Sequence, residues 1–142
     1  MESHLLEKIK SFCAFQERSV LEIKQKLTSL GVLIPDPYLE ILQAEGYQDE
    51  LRFAKHFAGS KFRIKRWGRE KISQQLYLRG LDEGFVAEAL NEIPEEEYME
   101  AATALAEKYL ATRFGVLRPD VRLYKYLRQK GYEHEIAFRV NQ

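Results

Sequence analysis

The sequence predicts an all-α protein: three tandem three-helix, helix-turn-helix-like repeats forming an elongated, curved molecule. Three observations predict it. Apolar residues recur at helical spacing nearly throughout, as in Leu5, Ile9 and Phe12 or Leu51, Ala54 and Ala58. Strict alternation is almost absent; the best strand candidate, "FRIKRW" at 62–67, is short and has no hairpin partner. Finally, Gly31, Gly80 and Gly131 each close a helix, at separations of 49 and 51 residues.

The first repeat covers 1–47. A helix over about 2–17 carries Leu5, Ile9 and Phe12. Ser19, with Glu22 three residues later, has capping-box spacing and opens a second helix. Gly31 ends it in the manner of a left-handed C-cap. Pro35 and Pro37 mark a connector before "YLEILQAEG", which stops at Gly46. The second repeat covers 48–94, with helices over about 49–62, from Trp67 to Gly80, and over about 83–93. The third covers 95–142. Pro94 followed by Glu95, Glu96 and Glu97 suits the positive end of a helix dipole. That helix, about 95–113, carries two adjoining stripes: Ala101, Leu105, Tyr109 and Ala102, Ala106, Leu110. Pro119 and Asp120 start the next, which ends at Gly131, and a last helix spans about 133–141.

The three glycines align their surroundings. Eight residues before them stand Ile23, Ile72 and Leu123; four before, Leu27, Leu76 and Leu127; one after, Val32, Leu81 and Tyr132. Each middle helix therefore presents an i, i+4 apolar pair and drops an anchor into its turn. Repeats of this kind can serve as helix-turn-helix DNA readers or can simply stack, each burying its neighbour's edge.

With 142 residues, 45% apolar and 31% charged, the chain has the composition of a globular protein. No apolar run approaches the ~20 residues of a membrane span. "MESHLLEKIKSF" lacks the features of a secretory signal, and a single cysteine fits a reducing cytosol. Cys13 is the single cysteine and reads as a small buried apolar residue.

The net charge of zero hides strong segregation. Residues 61–79 hold seven basic side chains and one acid, residues 82–107 nine acids and no Lys or Arg, and residues 108–132 seven basic side chains and one acid. Little suggests catalysis. His4, His56 and His134 are scattered, and no HExxH, CxxC or glycine-rich phosphate loop occurs. Glu133-His134-Glu135 reads as a solvated helix start, and the acids at 92–100 as a hydrated helix N-terminus. No enzyme, metal or cofactor is expected. Lys71, Gln75 and Arg79 share one helix side, and Arg122, Lys125 and Gln129 another; nine before the glycine, Lys71 and Arg122 match Glu22 of the first repeat. The positive face thus belongs to the second and third repeats, where it can neutralise phosphates. Phe62, Trp67 and Tyr77 offer aromatic surface, with Phe62 and Trp67 expected to pack between repeats.

Three stretches resemble the RecX family, regulators of the RecA recombinase. Arg18-Ser19-Val20-Leu21-Glu22-Ile23 with Leu27 and Gly31 resembles "RSxxEL…L…G". Asp49-Glu50-Leu51-Arg52-Phe53-Ala54, running on to Gly68, Ile72, Leu76, Arg79, Gly80 and Leu81, resembles "DDxxFA" and its sequel. Tyr126-Leu127-Arg128-Gln129-Lys130-Gly131-Tyr132 resembles "YLxxRGF". Gln48 departs where an acid is usual, as do Lys130 and Tyr132 from arginine and phenylalanine. The resemblance implies a non-catalytic, cytoplasmic protein that binds the RecA–DNA filament along its groove, inhibits strand exchange and ATP hydrolysis, and modulates recombination, DNA repair and the SOS response; a monomer is expected. Single- or double-stranded DNA is a further expected partner. The binding residues expected are Lys61, Arg63, Lys65, Arg66, Arg69, Lys71, Arg79, Arg118, Arg122, Lys125, Arg128 and Lys130. The alternatives are a helix-turn-helix reader of duplex DNA, with Gln74, Gln75 and Gln129 at base edges, and a solenoid that binds proteins only. A piece ending near Pro94 is expected to remain helical.

Overall fold

The computed structural model describes residues 1–113 and 117–142. Among them the regular structure is helical: α1 (Ser3–Phe15), α2 (Val20–Ser29), α3 (Asp36–Ala44), α4 (Glu50–Lys65), α5 (Arg69–Leu78), α6 (Glu83–Asn91), α7 (Glu95–Ala111), α8 (Val121–Gln129) and α9 (His134–Val140). "FRIKRW" is not a strand. Its first four residues finish α4, and Arg66 stops that helix at φ 59°.

The repeat positions fill the core. Ile23, Leu27, Ile72, Leu76, Leu123 and Leu127 have no exposed surface. The closing glycines take positive φ of 88°, 79° and 103°, a region a β-carbon disfavours. The residue after each glycine donates its N–H to the leucine carbonyl five residues back: Val32 to Leu27, Leu81 to Leu76, Tyr132 to Leu127. Ser19 accepts from the Glu22 N–H at 3.1 Å. The reciprocal half of the expected capping box is missing, because the Glu22 carboxylate reaches Arg79 instead.

Two apolar cores result. One lies within α1–α3, around Ile9, Ile23, Leu27 and Leu42. The other runs without a break through α4–α9. Phe62 stacks on Tyr98 at 5.9 Å between centroids, and Tyr98 packs on Tyr132 at 5.1 Å. Phe62 thus does pack between triples, whereas Trp67 lies edge-on to Phe57.

The two joints between triples are built differently. At the first, contacts are polar. Glu50 accepts from the Val20 N–H (3.1 Å), Gln48 donates to the Arg18 carbonyl (3.4 Å), Arg52 pairs with Glu17 (2.6 Å), and Arg79 with Glu22 (3.3 Å). At the second, backbone meets backbone. The Gly68 and Glu70 N–H groups donate to the carbonyls of Lys130 (2.8 Å) and Gly131 (2.9 Å), and the Arg69 N–H donates to the Tyr98 hydroxyl (2.9 Å). A helix start leaves its first N–H groups unpartnered; those of α5 are capped by the third triple.

Candidate anion-binding interface

The basic residues divide into two sets. Several serve the fold. Arg69 pairs with Glu133 (3.0 Å) and with Glu95, while its guanidinium lies 3.8 Å from the Tyr98 ring. The Tyr98 hydroxyl donates to Glu133 in turn, and burial with that carboxylate partner pushes the phenol well above its usual range. Arg128 holds Glu70 at 2.7 Å, Arg63 lies 3.6 Å from Glu97, and Arg122 is 3.3 Å from Asp120. Arg79 pairs with Glu22, bonds Gln75 and covers the Phe57 ring at 4.7 Å. The side of α5 expected to offer Lys71, Gln75 and Arg79 together therefore spends Arg79 and Gln75 within the molecule.

The second set converges elsewhere. Lys65, Arg66, Lys108, Arg113 and Lys130 line one trough, floored by Ile64, Leu105, Tyr109 and Tyr126. Tyr109 and Tyr126 pack at 5.0 Å, and Arg113 lies 3.6 Å over Tyr109. Among the described residues none of these five cations forms an ion pair. Trp67 lies beside this set, with the Lys71 ammonium at 4.7 Å and the Lys61 ammonium at 5.1 Å from its ring. Arg118 and Lys125 are exposed and likewise make no ion pair among the described residues.

Helix geometry brings the trough together. It sits where the C-terminal ends of α4, α7 and α8 meet. Those ends favour cations: the Lys130 ammonium donates to the Lys65 carbonyl at 3.1 Å, and Arg113 to the Tyr109 carbonyl at 3.3 Å. Magnitude decides whether that is the whole account. Each helix end carries roughly −0.5 charge, about −1.5 for three. Five full positive charges line the trough, so a large excess is left over. Lys130 registers it. Burial holds its ammonium below the usual lysine range, and Lys71, Lys65 and Lys108 push it further down.

Lys65, Arg66 and Lys130 were expected from the sequence; Lys108 and Arg113 were not among the binding residues named, although both lie in the second basic segment. Among the described residues no group of His, Cys, Asp or Glu is placed to hold a metal, and no helix is long and apolar enough to cross a membrane.

Comparison with known proteins gives a consistent set of likenesses. The family model for the second three-helix domain of RecX matches residues 49–90. A regulatory protein RecX from Halorhodospira halophila is 33% identical over 127 residues, covering 84% of this chain and 74% of that protein. Proteins of the same name from Lactobacillus johnsonii and Leuconostoc mesenteroides are 29% and 28% identical, over 73% and 89% of this chain. Of those two relatives' own length, the chain spans only 39% and 49%. Two crystal structures share the fold over 97% of the chain. One, of a regulatory protein RecX, has TM-score 0.81 at 20% identity and is covered over 70% of its length. The other, of RecX from Lactobacillus salivarius, has TM-score 0.80 at 23% identity and is covered over 92%.

Proposed function

The chain belongs to the RecX family of regulatory proteins, and from that premise we propose that it regulates a RecA recombinase, mainly as an inhibitor. It binds along the groove of the RecA–DNA filament without catalysis of its own, and so modulates recombination, DNA repair and the SOS response in the cytoplasm. The observation that carries this reading is the trough of five uncompensated cations across the second and third triples. A filament of recombinase on DNA is a polyanion, and a face with excess positive charge gains by releasing counterions from it. Lys61, Lys65, Arg66, Lys71, Arg118, Lys125 and Lys130 are the expected residues that remain available; Arg63, Arg69, Arg79, Arg122 and Arg128 each hold a carboxylate.

The helix-turn-helix alternative draws less support. A reader of that class lays the helix after the turn in the major groove. Here those helices carry acids, Asp36 and Glu40 on α3 and Glu83 and Glu88 on α6. Gln75, one of its candidate base-reading residues, accepts from Arg79 at 3.2 Å.

Co-sedimentation with RecA filaments, against bare single- and double-stranded DNA at matched salt, tests the reading. Filament binding should exceed binding to either DNA and should fall steeply for Lys108→Glu or Lys130→Glu, while Lys8→Glu leaves it unchanged. Equal binding to bare duplex, with no loss in the trough variants, would remove it.

A further inference from the structure

The repeat itself points to a ligand. Nine residues before the closing glycine and one residue before it, equivalent positions meet across each joint. At the first joint these are Glu22 and Arg79, which form an ion pair at 3.3 Å. At the second they are Lys71 and Lys130. Lys71 is pressed against Gly131, the neighbour of Lys130: a β-carbon on Gly131 would lie 2.4 Å from the Lys71 Cβ and 2.7 Å from its backbone nitrogen. At these equivalent positions the first joint has opposite charges and the second has like charges. Lys65 and Lys108 add two more: both line the trough with Lys130, whose ammonium donates to the Lys65 carbonyl at 3.1 Å. No carboxylate among the described residues pairs with any of the four. Like charges gathered at a joint work against it, yet this is the joint with the closest backbone contact. A bound anion reconciles the two facts.

We propose that Lys65, Lys71, Lys108 and Lys130 form a binding site for a phosphate group at the joint between the second and third helical triples. The ligand must be anionic, compact and rich in acceptors, because lysine ammonium groups donate up to three hydrogen bonds each and accept none. A phosphate group offers two or three non-bridging acceptor oxygens, two in a diester, and meets lysines as a point charge. The same chemistry is available from the nucleic-acid backbone or from free polyphosphate. The inference rests on the reading above only in taking the trough to face a polyanion. Occupancy ties the second and third triples together, so the ligand is also a stabiliser of that joint.

The test uses the full chain, without recombinase, at constant ionic strength. Tripolyphosphate and an oligothymidylate serve as probes, with thermal melting and direct titration as readouts. Both should raise the melting temperature and compete with each other. Lys71→Glu should recreate the pairing of the first joint: it should melt higher than the parent without ligand and lose the ligand-dependent rise. Lys130→Gln, which needs no new ion pair, should weaken tripolyphosphate roughly tenfold, the worth of one charge-assisted bond. Lys24→Glu, on the exposed face of α2, should change neither. Oligothymidylate binding alone assigns the site to the nucleic-acid backbone, and binding of both to phosphate generally. Binding of neither, or of polyglutamate only, overturns the site even if filament co-sedimentation persists. A ligand-dependent rise of equal size in the parent, Lys71→Glu and Lys130→Gln overturns it as well.

Discussion

Gly68 and Gly131 carry the second joint together, for different reasons. Gly131 sits at φ 103°, so its place already favours glycine. Gly68 has φ −80°, which any residue adopts. What excludes a side chain there is space: a β-carbon would lie 2.3 Å from the Gly131 carbonyl carbon and 2.4 Å from its oxygen, both backbone atoms. Gly68→Ala should therefore destabilise the protein by on the order of 1–3 kcal/mol, as overpacking does, measured by urea unfolding. At Gly84, where a β-carbon meets nothing within 4 Å, alanine should be neutral or mildly stabilising, as expected in a helix. Equal effects at the two positions would contradict the close approach.

Glu50 supplies a second residue-scale test. Burial raises its carboxyl above the usual glutamate range, opposed by the Val20 N–H and Gln48, while Asp82 and Asp49 raise it further. A raised folded value means the native state holds the proton more tightly than the unfolded chain. The resulting stability is fully present below the unfolded pKa, near ~4.3, and is lost as pH rises through the higher folded value. Unfolding of the parent and of Glu50→Gln, compared from about pH 4 to 7, should show the parent gaining relative to the variant as pH falls. A constant difference across that range would contradict the raised carboxyl.

Among elements, the middle helices show what spacing alone can reveal. Leu76 matches Leu27 and Leu127 and, like them, has no exposed surface. Leu76→Ala should cost on the order of 2–5 kcal/mol, as buried leucine truncations do, and an unchanged melt would mean the repeat register is wrong. Such positions were legible because a helix places i, i+4 and the capping turn by local geometry. The joints were not. Arg128 to Glu70, Tyr132 to Arg66 and Gly68 to Lys130 each span about sixty residues, and no local spacing selects one partner among many. For the same reason Arg69, Arg79 and Arg128 looked like free cations in the sequence. The trough needs three helix ends brought together from distant segments, so Lys108 and Arg113 fell outside the named set. "FRIKRW" is too short and unpartnered to be a strand, and its first four residues carry α4 on to Lys65, beyond the end near 62 that the spacing predicts.

At the scale of the molecule, two cores divide the chain differently from its three repeats. The polar first joint separates α1–α3 from a single core that runs through α4–α9. A piece ending near Pro94 would then not be a simple subtraction of one repeat. It would strip Tyr98 and Tyr132 from Phe62, leave the Gly68, Arg69 and Glu70 N–H groups of α5 uncapped, and expose the inner faces of α4 and α5. The expectation from periodicity alone, that such a piece stays helical, overlooks this shared core. We expect the reverse cut to be the tolerated one. A piece covering residues 48–142 keeps the larger core, the glycine contact and all five trough cations, and loses at the joint polar contacts such as Arg52–Glu17 and Arg79–Glu22. Exposed or half-exposed ion pairs contribute little individually, about 0–1 kcal/mol, whereas the aromatic stack and the buried helix faces carry the bulk of the apolar area. Circular dichroism and cooperative unfolding of the two pieces decide the matter. Residues 48–142 should unfold in one transition near that of the parent, and residues 1–94 should show weakened or non-cooperative unfolding in their second half. Two equally cooperative pieces would mean that the second and third triples are independent and that the shared core contributes little.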